Sequence, residues 1–176
     1  GRWYYCWEES KMTKREGRVL RLRSGQQAVE SMVDVWTAEQ RHELEVVPTG
    51  PLLDCANCGK PYRYPGLPRN GKGSPTNATA GLTWTGFRPS DDECKYHYLV
   101  PANMFAVVAL QYVVELAQPQ QQLWNNPALA AKAQTLANQI QQGIQEHAIV
   151  EHPKHGKIYA YEVDGLGNYF IMDDAN

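Results

Sequence analysis

Residues 104–110, MFAVVAL, constrain the fold most, because they are apolar on every side of a helix. A helix that is apolar all round has to be buried all round, since any side that faced water would expose apolar surface. The pattern predicts a helix from about residue 102 to residue 117, and Gln111 and Glu115 return its far end to solvent. The chain must therefore surround this helix with other elements.

Two further segments carry apolar residues on one face only, at the spacing of an α-helix. The first predicts a helix from about residue 25 to His42. The second predicts a helix that begins with Asn126 as N-cap and Pro127 at the first helical position, and that ends near His147. The apolar positions are Ala28, Met32, Val35 and Trp36 in the first segment, and Leu129, Ala133, Leu136, Ile140 and Ile144 in the second. A buried helix between one-faced helices predicts a mainly α fold in which outer helices wrap inner ones.

The rest of the chain predicts loops and a small β-hairpin. Residues 48–82 hold most of the prolines and many glycines, which predicts a long irregular loop, and loops of this length are usually functional. The stretch KIYAYEVDGLGNYFIMDD, residues 157–174, predicts two short strands joined by the turn residues 164–168. Residues 1–24 have no clear period, so we treat 1–24 and 25–176 as separate parts.

Composition restricts the function classes. The 176 residues are 43% hydrophobic and 20% charged with a net charge of −2, which indicates one globular domain without general affinity for nucleic acid. A basic stretch at residues 11–23 is either a phosphate-binding arm or a solvated flank. The chain has no uninterrupted apolar run of about 18 residues, so the sequence predicts no membrane span. We interpret the chain as a piece of a longer protein, and the triplet Asn77-Ala78-Thr79 as a glycosylation acceptor that would place it in a secretory compartment or outside the cell.

Three acids in a row, Asp91, Asp92 and Glu93, follow the long loop. One interpretation is a solvated flank that complements the dipole of the next helix. The other is a catalytic site, because loops often carry sites and aromatic residues on which a sugar can stack lie on both sides of the acids. Those aromatic residues are Trp84, Phe87, Tyr96 and Tyr98.

Glycoside hydrolysis needs two carboxyl groups, one to protonate the leaving oxygen and one to act as base or nucleophile across the sugar ring. In an extended segment Asp91 and Asp92 point to opposite sides, so they do not both face one bond. The second carboxyl group would then come from elsewhere. Arg88 lies close enough in sequence to orient or neutralise one of the two aspartates, or to bind a sugar hydroxyl.

The block GLTWTGFRPSDDECKYHYLVPANMFAVVAL, residues 81–110, resembles the signature of glycoside hydrolase family 125. This family comprises exo-α-1,6-mannosidases and the proteins of the meiotically up-regulated gene 157 type. Residues 31–43, 62–75 and 157–176 are similar to further blocks of the family, in the same order. The resemblance implies part of an (α/α)6 barrel, removal of terminal α-mannose from glycans with inversion, and no metal or other cofactor.

The resemblance also implies roles for single residues. The general acid falls on Asp91 or Asp92, with a slight preference for Asp91, and the general base lies in a block that this chain lacks. A block of the WLRDS type, normally upstream, is missing too, so we expect the chain alone to be inactive. Substrate contacts are expected from residues in or near the matching blocks. These residues are Trp84, Arg88, Ser90, Asn103, Asp173 and Asp174.

Alternatives remain open for several of these residues. Asn103 could instead cap a helix or bind backbone, and Asp173 and Asp174 could cap a helix. Cys55, Cys58, Cys94 and His97 form two ligand pairs with the spacing of a structural zinc site, although Cys55 and Cys58 could also form a disulfide or stay as thiols. A non-catalytic carbohydrate-binding function is the other alternative, because the chain has five tryptophans and ten tyrosines.

Overall fold

A computed structural model describes residues 14–44, 61–118 and 123–172, with residues 14–24 described as backbone only. Cys55, Cys58, Asp173 and Asp174 lie outside these residues. The described elements are, in chain order, α1 (Lys14–Glu39), α2 (Pro68–Gly71), β1 (Tyr98–Leu99), α3 (Val100–Ala117), α4 (Pro127–His147), β2 (Ile149–His152), β3 (Gly156–Tyr159), β4 (Glu162–Val163) and β5 (Tyr169–Phe170).

The three predicted helices are present as α1, α3 and α4. Helix α1 begins at Lys14, about eleven residues before the predicted start. Residues 14–24 are mostly good helix formers, but they lack the apolar stripe on which the prediction was based. Helix α4 begins as predicted: Asn126 is the N-cap, and its side-chain oxygen accepts the Leu129 N–H at 3.0 Å. Helices α3 and α4 pack together through their buried faces and form most of the core. The buried residues are Ala106, Leu110, Val113 and Ala117 on α3, and Leu129, Ala133, Leu136, Ala137, Ile140 and Ile144 on α4.

The prediction that residues 104–110 are buried on every side is wrong for the described part of the chain. Phe105 is 70% exposed, Val108 45% and Tyr112 60%, and these residues share one face of α3. The opposite face packs on α4, and the described residues supply no second neighbour of comparable size. Helix α3 therefore has a covered apolar face and an open one.

Helix α3 is long and apolar enough to cross a membrane, judged by its length and composition alone. This property is weak support for a span, because core helices of soluble proteins share it. The polar Asn103 and the packing against α4 are ordinary features of a core helix.

A three-stranded antiparallel sheet of order β1–β4–β5 lies beside the helices. Strands β4 and β5 pair with Glu162 opposite Phe170, around the turn that the sequence predicted at residues 164–168. Asp164 holds this turn, because its Oδ1 accepts the N–H groups of Leu166 and Asn168. The predicted first strand, which starts at residue 157, is divided in the structure between β3 and β4. Strand β3 pairs with β2 in a second hairpin, and β2 was not predicted.

Residues 61–97 lead to β1 mainly through irregular backbone, and residues 61–82 agree with the predicted loop as far as the structure describes it. Its one helical element, α2, is a single turn in which Arg69 and Asn70 have left-handed backbone angles. The loop is held to the helices by hydrogen bonds to backbone, among them Gln40 Nε2 to the Gly81 carbonyl and Thr83 Oγ1 to the Trp36 carbonyl. The loop thus carries the acid cluster to a fixed place next to β4.

Candidate active site

Residues 86–96, which we call the acid loop, form a tight hairpin. The Cys94 N–H donates to the Gly86 carbonyl at 3.0 Å, and the Arg88 N–H donates to the Asp92 carbonyl at 2.8 Å. The Asp91 N–H donates to the Arg88 carbonyl at 3.0 Å and closes the tip, so Arg88 is the first residue of this turn and Pro89 the second. Proline suits this place because its fixed φ matches the turn.

The three acids lie at and beside the tip of the acid loop, and all three side chains are exposed. Asp91 has a φ of +69, in the left-handed region. Hairpins of this length usually have a left-handed residue after the turn, and aspartate tolerates this conformation better than most residues. Asp92 Oδ2 accepts a hydrogen bond from Ser90 Oγ at 2.8 Å. Among the described residues, the Asp91 carboxylate has no hydrogen-bond partner. The two aspartates therefore differ: Asp92 is tied to its own loop and Asp91 is open to a ligand.

Arg88 points away from the tip and into the protein, where it is 8% exposed. Its Nε donates to Glu162 Oε1 at 2.6 Å. Its guanidinium carbon lies 5.7 Å from the ring centroids of both Tyr161 and Phe170, within cation–π range. The sequence suggested that Arg88 would hold an aspartate or a sugar hydroxyl, but it did not reveal the partnership with Glu162.

Glu162 is fully buried on β4 and also binds the second arm of the acid loop. Its Oε2 accepts the N–H groups of Lys95 at 2.7 Å and Tyr96 at 3.0 Å. The sequence signal was present but faint: a lone acid lies in a short, mostly apolar strand, where a buried charge needs a partner.

Trp84 is a core residue with 3% exposure, and the expected stacking on a sugar is not what its environment favours. His42 stacks on its ring with centroids 3.5 Å apart and planes at 6°, and His97 stacks at 4.8 Å and 22°. Aromatic side chains nearer to solvent are Tyr62 and Tyr64, with 47% and 44% exposure.

A buried polar network surrounds the Trp84 stack, and sequence reasoning missed it. Glu39 Oε2 lies 2.7 Å from His42 Nδ1, and Glu39 Oε1 accepts the Tyr62 N–H at 2.5 Å. Arg63 donates to the His42 carbonyl at 2.7 Å. The signal was a glutamate and a histidine three residues apart at the end of a helix, where they share one face. The network ties the loop near residue 62 to the end of α1.

Asn103 has the backbone role that was one of its two interpretations. It is 2% exposed, its Oδ1 accepts the Thr83 N–H at 2.8 Å, and its Nδ2 donates to the carbonyl groups of Thr83 at 3.1 Å and Leu99 at 3.0 Å. Both N–H groups and the oxygen of the side-chain amide are therefore bonded to backbone groups. Asn103 fixes the segment that precedes the acid loop to α3.

His97 is poorly placed to bind zinc. The Ser74 N–H donates to its Nε2 at 2.7 Å, and its Nδ1 donates to the Thr85 carbonyl at 3.0 Å, so both ring nitrogens are engaged. Burial lowers the pKa of His97 below its usual value, which favours the neutral ring that these bonds require. Cys94 is buried, and the described residues contain no group of three or more side chains that could hold a metal ion.

Two depressions lie near these elements. A largely apolar cavity of about 460 Å³ is lined by residues that include Trp36, Glu39, Tyr62, Phe87 and Phe105. It adjoins the open face of α3 at Phe105 and the acid loop at Phe87. A more polar groove of about 640 Å³ lies between the end of α1, residues 78–81 and α4. The cavity is the one that the acid loop borders.

The chain matches the family model described as metal-independent alpha-mannosidase (GH125) over residues 10–176. It is 37% identical to a metal-independent α-mannosidase from Streptococcus pneumoniae, solved in a non-productive complex with α-1,6-mannobiose. That match has a TM-score of 0.67 and covers 96% of this chain and 36% of the other. The chain is also 48% identical over 106 residues to the meiotically up-regulated gene 157 protein of Schizosaccharomyces pombe. This match covers 60% of the chain and 20% of that protein.

These comparisons, together with the helical fold, place the chain in a family of glycoside hydrolases. It belongs to glycoside hydrolase family 125, the metal-independent α-mannosidases, and the resemblance seen in the sequence is confirmed. The chain spans about a third or less of the length of the relatives it matches.

Proposed function

We propose that this chain carries the proton-donating loop of an exo-acting α-mannosidase that removes terminal α-1,6-linked mannose from glycans with inversion. The observation that carries the proposal is the exposed pair Asp91 and Asp92 at the tip of a hydrogen-bonded hairpin, in a chain that matches the mannosidase family along almost its whole length. A carboxylic acid at such a tip can reach the glycosidic oxygen of a bound glycan.

Asp91 is the better candidate for the general acid. Its carboxyl group is open, whereas Asp92 Oδ2 is bound by the Ser90 hydroxyl at 2.8 Å. In the proposed reaction Asp91 gives its proton to the leaving oxygen while water attacks the anomeric carbon from the opposite face. Asp92 and Ser90 then shape the tip and contact the sugar.

The general base comes from a part of the family that this chain does not cover. An inverting enzyme holds its two carboxyl groups about 6.5 to 9.5 Å apart with a water between them. Asp91, Asp92 and Glu93 share one short tip and so lie on one side of the bond. Without the opposite carboxylate, the chain by itself should bind glycan at most.

The open face of α3 supports an incomplete (α/α)6 barrel. Phe105, Val108 and Tyr112 form an apolar stripe that a soluble protein rarely leaves in water. We propose that α3 is an inner helix of the barrel and that further helices cover this stripe. The cavity next to Phe105 and Phe87 would then lie inside the completed barrel, beside the acid loop.

The test uses the full-length protein with α-1,6-mannobiose and with α-mannosyl fluoride, whose leaving group needs little help from an acid. We expect Asp91→Asn to lower kcat on the mannobiose by about 10² to 10⁴-fold and to affect the fluoride far less. Proton NMR of the first product should show β-mannose. If Asp91→Asn and Asp92→Asn both keep full turnover of the mannobiose, neither residue is the acid; mannose binding without turnover in the wild type would favour the carbohydrate-binding alternative.

A secretory or extracellular location is a proposal that depends on the triplet at Asn77. In the structure Asn77 Oδ1 accepts bonds from the N–H and hydroxyl groups of Thr79, and its Nδ2 donates to the Gly165 carbonyl at 3.3 Å. A glycan on Nδ2 would replace this last bond. A mass decrease after enzymatic deglycosylation of the native protein, abolished by Asn77→Gln, is the expected result.

A further inference from the structure

We propose that Glu162 is the positioning residue of the acid loop, and that it sets the place of the proton donor without touching the substrate. This inference rests on the proposed function. Glu162 lies far along the chain from the loop and is fully buried, so it has no surface with which to bind a glycan. Its carboxylate nevertheless contacts both arms of the loop.

The contacts of Glu162 divide between its two oxygens. Oε1 accepts the Nε–H of Arg88 at 2.6 Å, on the arm that leads to the tip. Oε2 accepts the N–H groups of Lys95 at 2.7 Å and Tyr96 at 3.0 Å, on the returning arm. One side chain therefore clamps the base of the hairpin from both sides.

The clamp is itself held rigidly. Glu162 lies on β4, the central strand of the three-stranded sheet, opposite Leu99 of β1 on one side and Phe170 of β5 on the other. The rings of Tyr161 and Phe170 lie at 5.7 Å from the Arg88 guanidinium and restrict where it can move. A shift of the acid loop would have to break a buried, charge-assisted hydrogen bond, which is costly.

Position matters for the tip because proton transfer requires hydrogen-bond distance between the acid and the leaving oxygen. Asp91 is joined to Arg88 by the turn that closes the loop, so displacement of Arg88 moves Asp91 directly. A misplacement of about 1 Å can cost about 10²-fold in rate. The requirement applies to a poor leaving group and is relaxed for a good one.

The experiment compares Glu162→Gln with Asp164→Asn in the full-length protein. Asp164 is the matched control, because it is a buried carboxylate on the same hairpin with 3% exposure, but it binds the turn at Leu166 and Asn168 and none of the acid loop. In Glu162→Gln the amide oxygen can still accept from Lys95 and Tyr96, while its NH₂ would face the Arg88 Nε, donor against donor.

We expect Glu162→Gln to lower kcat on α-1,6-mannobiose by about 10²-fold with little change in KM, and to affect α-mannosyl fluoride by less than about tenfold. Asp164→Asn should lower the melting temperature without this dependence on the leaving group. The inference is overturned if Glu162→Gln behaves like Asp164→Asn, or if it lowers turnover of both substrates equally, as a purely structural role would.

A second variant decides the matter if Glu162→Gln does not fold. Arg88→Lys keeps the charge but loses the planar guanidinium whose Nε meets Glu162, so it should reproduce the loss on the mannobiose and spare the fluoride. A wild-type ratio of the two rates in Arg88→Lys overturns the inference. Loss of activity in Asp91→Asn together with normal ratios in the Glu162 and Arg88 variants would leave the proposed function standing and reject only the clamp.

Discussion

Single residues in this structure show how neighbours in space redirect a side chain. Asn103 and Trp84 were both expected at a sugar site, because amides bind hydroxyl groups and indole rings stack on sugars. Both are instead almost fully buried, with Asn103 bonded to the backbone of Thr83 and Trp84 stacked against His42 and His97. Asn103 holds the segment that precedes the acid loop, and Trp84 packs against His97, which follows the loop.

His97 should make stability depend on pH. Burial lowers its pKa, so between that lowered value and the ordinary value of about 6.5 the unfolded chain binds more protons than the folded protein. Its contribution is therefore fully present above about pH 6.5 and is lost as the pH falls through the folded pKa. Thermal unfolding from pH 8 to pH 5 should show this decline.

The matched variants for this prediction are His97→Gln and His155→Gln. His97→Gln should flatten the pH dependence, while His155→Gln, at an exposed position of the β2–β3 turn, should leave it unchanged. An equal slope in wild type and His97→Gln would show that another group is responsible.

At the scale of elements, α4 meets the loop at residues 80–82 very closely. A Cβ on Gly143 would lie 2.2 Å from the Ala80 carbonyl oxygen, closer than any real Cβ contact. Alanine normally stabilises a helix by about 1 kcal/mol relative to glycine. Here the clash with backbone should outweigh that gain, so Gly143→Ala should lower the free energy of unfolding in urea.

Gly25 in α1 provides the control, because a Cβ there meets nothing within 4 Å. Gly25→Ala should raise the free energy of unfolding by up to about 1 kcal/mol. If both substitutions stabilise the protein, the close approach of the loop to α4 is not maintained in solution.

At the scale of the whole molecule, the open face of α3 is the feature that needs explanation. If further helices of the full-length protein cover it, Phe105→Glu should bury a charge without a partner and destabilise that protein by several kcal/mol. Tyr159→Glu, at a similarly large exposed residue on β3, should change the free energy of unfolding by less than about 0.5 kcal/mol. Urea unfolding of both variants measures the difference, and a silent Phe105→Glu would contradict the barrel proposal.

The sequence by itself determined the three long helices, although not the start of α1, together with the turn at residues 164–168 and the family. Periodicity and turn residues are local properties, so Asn126 as N-cap and the apolar stripe of α4 were readable without a structure. The acid cluster was visible in the sequence too, as three consecutive carboxylates after a long loop.

Only the tertiary structure decided which groups meet. Glu162 and Arg88, Asn103 and Thr83, and Trp84 and the two histidines are pairs brought together by the fold, and no spacing in the chain predicts such contacts. The same holds for burial: residues 104–110 are apolar all round, yet whether each side is covered depends on neighbours elsewhere in the protein. Local sequence properties therefore determined the helices and the turn, whereas packing between distant parts of the chain determined which residues meet at the candidate site.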